Sequence, residues 1–218
     1  MTFTDSADFT GSITGAGAGH IQTNTTKAIL VVNEGETVSI GSSVDKVLTV
    51  YGNGGTITSS ANIWADKNAI TSLILQHDST IGGEYALGLS ATSKGATTAD
   101  LAGYTLTVNK TGNFNLCNAT ISNGGTIDVV KGNLLTWGTA STMSDGTLKL
   151  GSTATAELNA NLTVRDLVNG GATISGASVL TVNGTLSGGG KIPKLTMGND
   201  ATIKLSGAEK LTVGTAFS

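Results

Sequence analysis

Fifteen carboxylates, two histidines and one cysteine hold most of the reactive chemistry open to this 218-residue chain. Asp8-Phe9-Thr10-Gly11-Ser12 and Ser144-Asp145-Gly146-Thr147 come nearest to paired Asp-Thr/Ser-Gly loops. In such loops two carboxylates share one proton, because like charges about 3 Å apart cannot both ionise. The first string carries Phe9 as an insertion and the second lacks the middle residue, so neither completes the pattern. On a catalytic reading Asp8 and Asp145 form the dyad; on the structural reading both strings are corner chemistry in a Gly/Thr-rich β chain. His77-Asp78-Ser79 collects the residue types of a hydrolytic triad. Triad members converge from separate segments, whereas consecutive residues on an extended chain point alternately apart, so a surface turn is expected here.

A third group is Trp64, Asp66, Asp78, Glu84 and Tyr85, close enough in sequence to share one irregular face. Carboxylates beside aromatic rings suit a lateral groove for glycan binding or cleavage, and functional residues concentrate on loops held by a rigid scaffold. Core packing of Trp64 and solvation of the acids account for the same residues without a ligand. His20, His77 and Cys117 are too few for a structural zinc site. The acids fall into neither an EF-hand loop nor a Gly-Gly-x-Gly-x-Asp repeat. No metal and no cofactor is therefore expected.

The elements that position these residues are short strands. Apolar pairs separated by one residue recur at Leu180/Val182, Leu195/Met197, Ile203/Leu205 and Leu211/Val213, each bounded by Gly, Asn, Asp or Ser. Alternate strand residues share a face, so each pair points to one side and Thr or Lys to the other. The last three pairs start eight residues apart, enough for one strand and one corner. Three such units predict a coil of about 24 residues, a period typical of stacked repeats, and about nine coils in the chain. Leu205 is expected in the core beside Leu195 and Leu211, with Lys204 outward. Leu-Thr-Val recurs at 48–50, 106–108, 162–164, 180–182 and 211–213, and Asn-Gly-Gly begins at 53, 123 and 169.

Composition agrees with this reading. Thirty-one glycines and abundant Thr disfavour helix, while 39% hydrophobic residues and a net charge of −3 argue against disorder. The chain is expected to be all-β, a parallel β-helix forming one elongated domain over residues 1–218. A β-sandwich, or two, is the alternative. Residues 1–28 read as a cap or a mobile segment, and 61–104 as an irregular coil or a lateral loop. Stacking explains the pattern: a coil cannot bury its apolar side alone, but neighbours above and below close the ladder.

VNGTLSGGGKIPKLTMGNDATIKLSG, preceded by NGGATISGASVLT, resembles the repeats of bacterial autotransporter passenger domains, most clearly over residues 120–213. That resemblance implies a right-handed parallel β-helix displayed outside the cell. No segment with the alternating strands of a transmembrane barrel follows, so the expectation is a fragment or a related secreted protein.

The charged residues exclude some partners. Eleven Lys and the single Arg165 form no basic stripe with interleaved aromatics, so nucleic acid is not an expected partner. No run of 18 apolar residues occurs, so this segment is not expected to insert in a membrane. The functional expectation is a non-catalytic, secreted or surface-exposed bacterial module of adhesin type. Its partner would be a host or environmental glycoprotein or polysaccharide. The rival expectation is a secreted hydrolase: an aspartic-type peptidase using Asp8 and Asp145, or a glycan-cleaving enzyme using the loop acids.

Overall fold

The computed structural model describes residues 2–3, 20–23, 27–40, 47–59, 70–90 and 95–217. These residues form strands and corners with no helix, and every strand pair is parallel. The chain is a β-solenoid of about eight turns. Each full turn lays down three strands, on faces that we call A, B and C in chain order.

The register follows the chain residue by residue. On face A one column runs Leu30, Val50, Leu73, Ala99, Ile121, Met143, Val164, Val182 and Met197. Face B carries Val38, Ile57, Ile81, Val108, Val129 and Leu150, and face C carries Leu87, Phe114, Leu134, Ala156 and Ile174. All of these are buried except Met197, which packs partly exposed against the same continuous core. The alternation works as the sequence implies: Leu148 and Leu150 are buried while Lys149 between them is exposed.

Turn length departs from the expected 24. Successive face A positions lie between 15 residues apart, from Val182 to Met197, and 26 apart, from Leu73 to Ala99. The shortest turn joins strands Leu180–Val182, Thr185–Ser187 and Gly190–Met197 through the two-residue corners Asn183-Gly184 and Gly188-Gly189. The eight-residue unit is real but local. The strands at Leu195, Thr202 and Leu211 are three successive sides of the last turn, stacked on those at Leu180, Thr185 and Gly190.

Asn-Gly-Gly marks corners, though not always the same one. Asn53-Gly54-Gly55 and Asn123-Gly124-Gly125 both turn the chain from face A to face B, three turns apart, whereas Asn169-Gly170-Gly171 turns it from B to C. Residues 123–125 all have positive φ, and a Cβ on Gly125 would stand 2.4 Å from the Tyr104 carbonyl oxygen. Only glycine fits there.

Thr136 and Asn169 are polar residues in the core ladder, and each is satisfied. Thr136 stands between Leu116 and Leu158; its hydroxyl donates to the Ala160 carbonyl at 2.6 Å and accepts from the Ala160 N–H at 3.2 Å. Asn169 follows Leu150 on face B and clamps the next corner. Amide ladders along the axis appear at Asn33–Asn53 (2.9 Å) and Asn113–Asn133 (3.2 Å).

The core assignment of Leu205 is overturned. Ile203 stands in register with the buried Leu186, yet it is 40% exposed and Leu205 is 44% exposed. The strand Thr202–Lys204 pairs on one side only, so among the described residues no further coil covers these side chains. Leu205 lies beyond the strand, and Lys204 is exposed as expected. Within 61–104, the strands Ser72–His77, Ser79–Gly83, Leu87–Ser90 and Thr97–Asp100 stack in the same register as the coils on either side. Residues 60–69 and 91–94, and most of 1–28, lie outside the described residues.

Candidate functional site

The corner between faces A and B recurs once per turn, so whatever the chain places there forms a column along the axis. Asn33, Asn53 and His77 stand in mutual register at the ends of three consecutive face A strands. In the next turn Tyr104 takes the corner, held by its N–H donating to the Leu101 carbonyl at 2.8 Å. The His77 and Tyr104 rings lie 5.7 Å apart between centroids, tilted by 35°. Four consecutive turns thus present two amides and two rings, one group per turn.

The column is fixed from behind. One Glu36 carboxylate oxygen accepts from the Asn33 N–H (2.9 Å) and the Asn33 side-chain amide (3.2 Å), and the Asn33 carbonyl oxygen Oδ1 accepts from the Asn53 amide at 2.9 Å. The buried Ser79 hydroxyl donates to the His77 carbonyl (3.0 Å) and accepts from the Gly54 N–H (3.1 Å), tying two turns together. Amides locked in this way are pre-oriented for a ligand at little further entropic cost.

Beside the column run Glu34, Gly54 and Asp78, each following the residue in register. Together with Asn33, Asn53, His77 and Tyr104 they line an open groove of about 520 Å³. Asp78 Oδ1 accepts from the Thr105 N–H at 2.7 Å, which anchors that carboxylate to the next turn. Among the described residues that line the groove, none is Lys or Arg.

The residues singled out by sequence separate in space. Asp78 lies in the groove, whereas Glu84 and Tyr85 sit on the corner between faces B and C, joining strands Ser79–Gly83 and Leu87–Ser90. A hydrogen bond from the Tyr85 phenol to Glu84, with the charge of that carboxylate, raises the phenol above its ordinary pKa. Beneath this corner the buried Lys110 ammonium donates to the Tyr85 carbonyl, and burial lowers its pKa to about 8. Asp145 occupies a later A/B corner, where Oδ2 accepts from the Asn123 N–H at 2.9 Å. Trp64, Asp66 and Asp8 lie outside the described residues.

His77, Asp78 and Ser79 do not form a relay. Their side chains engage, respectively, the Tyr104 ring, the Thr105 N–H and the His77 carbonyl. Among the described residues no group of three His, Cys, Asp or Glu side chains is placed to hold a metal ion. Among the same residues no helix is long and apolar enough to cross a membrane.

Sequence reasoning missed Asn33, Glu34, Asn53 and Tyr104. They belong to different turns and share no motif; only the register brings them together. A scan against protein-family models, a search of curated proteins and a search of solved structures each found no significant match to this chain.

Proposed function

We propose that this protein is a non-catalytic, secreted or surface-exposed bacterial module that binds a glycan along its A/B corner. The carrying observation is the axial column of one amide or ring per turn within a groove of about 520 Å³. Neighbouring strands lie about 4.8 Å apart, and an extended pyranose chain advances by about that distance per sugar. The groove therefore offers each successive sugar its own turn. Hydroxyls pair with the Asn33 and Asn53 amides and the Asp78 and Glu34 carboxylates, and apolar C–H faces meet the His77 and Tyr104 rings. A host or environmental polysaccharide, or the glycan of a glycoprotein, has this form. The passenger-like repeats support display outside the cell.

A glycan-cleaving enzyme is the second reading, favoured by one observation: Glu34 and Asp78 share the groove, and paired carboxylates flanking a glycosidic bond are what hydrolysis needs. A peptidase built on Asp8 and Asp145 gains no such support, because Asp8, the other half of that dyad, lies outside the described residues.

Electrophoresis through gels containing soluble polysaccharides tests the proposal. The wild type should be retarded, Tyr104→Ala should run as in a glycan-free gel, and Tyr85→Ala, on the other corner, should bind as wild type does. Retardation unchanged in Tyr104→Ala, or absent with every glycan, overturns the groove. Release of reducing ends, abolished by Asp78→Asn, would replace binding with hydrolysis.

A further inference from the structure

Resting on the glycan-binding reading, we propose that the groove selects a β-1,4-linked glycan bearing free amines on alternate sugars of one side, and disfavours acidic glycans. The argument starts from the second column. Glu34 and Asp78 are two turns apart, and the intervening turn presents Gly54, which has no side chain. The carboxylates therefore repeat at about twice the strand spacing, near 9.6 Å. In a β-1,4-linked chain each sugar is turned over relative to the last, so like substituents on sugars i and i+2 face the same way. The two-turn repeat of charge matches that two-sugar repeat, and the side-chain-free turn falls where the substituent points away.

The sign of the charge follows from the carboxylates Glu34 and Asp78 and from the absence of Lys and Arg among the described residues that line the groove. The described ion pairs, Lys149–Asp128 and Arg165–Asp166, are at other positions, and the buried Lys110 points to the Tyr85 carbonyl on another corner. Neither Glu34 nor Asp78 is ion-paired with a described residue. Two uncompensated carboxylates attract protonated amines and repel uronate or sialate. Each exposed pair contributes little by itself, and two together make a preference on the order of tenfold. Such a preference weakens with salt.

Calorimetric titration tests this with three β-1,4 tetrasaccharides: glucosamine, its N-acetylated form and glucuronate, at a pH where the free amines are protonated. Wild type should bind the glucosamine tetramer about tenfold tighter than the acetylated one, and the glucuronate weakest. In the double variant Glu34→Gln/Asp78→Asn the three affinities should converge as the glucosamine tetramer falls to the level of the acetylated one, while the amide oxygen introduced by Asp78→Asn can still accept from the Thr105 N–H. Equal affinity of the wild type for charged and acetylated tetramers, or a preference that survives in the double variant, overturns the selection while leaving the groove intact. Binding that survives Tyr104→Ala undiminished, or absence of binding to all three, overturns the groove itself and the selection with it.

Discussion

Asn169 is a buried polar residue that ties two C-terminal turns together. It follows Leu150 in the face B column and makes two contacts that no aliphatic side chain reproduces. Its Oδ1 accepts from the Ala172 N–H at 2.9 Å, and its Nδ2 donates to the Gly189 carbonyl of the next turn at 2.8 Å. Asn169→Leu would extend the apolar column but leave the buried Ala172 N–H and the part-buried Gly189 C=O without these partners, at up to about 1–3 kcal/mol each. The expected loss is about 2–5 kcal/mol by the same reasoning. Asn169→Ala should cost about the same, since it adds a cavity but no overpacking. For a chain of this size each kcal/mol moves the melting midpoint by roughly 2–4 °C. Urea and thermal unfolding followed by circular dichroism measure the effect, with Lys191→Ala, at an exposed position of the strand Gly190–Met197, as a control expected within about 0.5 kcal/mol. Stability of Asn169→Leu equal to wild type would refute the reasoning, because burial alone would then suffice at that position.

Two further predictions follow from the core and from a buried charge. Leu186→Asp places a carboxylate at a buried face B position between Leu167 and Ile203 and should cost several kcal/mol, whereas Leu205→Asp, at an exposed position, should cost under about 0.5 kcal/mol; similar losses in urea midpoint for the two would contradict the register. Lys110 has its pKa lowered from 10.5 to about 8 by burial, so between those values the unfolded chain binds more protons than the folded one. Stability at this site is therefore lowest below about pH 8 and rises with pH above it, by up to about 2 kcal/mol at about pH 9.5. Urea midpoints at about pH 7 and about pH 9.5 should show that rise in wild type and a flatter profile in Lys110→Met; identical profiles would contradict the assignment.

The strand alternation was legible because it depends only on nearest neighbours: Leu106-Thr107-Val108 states its own buried and exposed sides. Corners were legible for a similar reason, since Asn-Gly-Gly supplies positive φ wherever the chain must turn sharply. Turn length was not, because corners vary from the single residue Asp78 to the two residues of Asn183-Gly184 and longer, and nothing local fixes their sum. Leu205 reads as a core residue from its own neighbourhood; what exposes it is the lack of a described strand on the outer side of Thr202–Lys204. The groove was least legible. Asp78 stood out as an acid, but Asn33, Asn53 and Tyr104 become a site only when residues 20 to 27 positions apart are stacked.

Dependence of affinity on oligosaccharide length tests the central claim most directly, because a groove built from four consecutive turns sets its own number of subsites. Calorimetry with a β-1,4 series from monosaccharide to hexasaccharide should show affinity rising with each sugar up to about four and then levelling, since later sugars pass beyond Asn33 or Tyr104. A monosaccharide that binds as tightly as the tetrasaccharide would contradict an extended ligand lying along the axis.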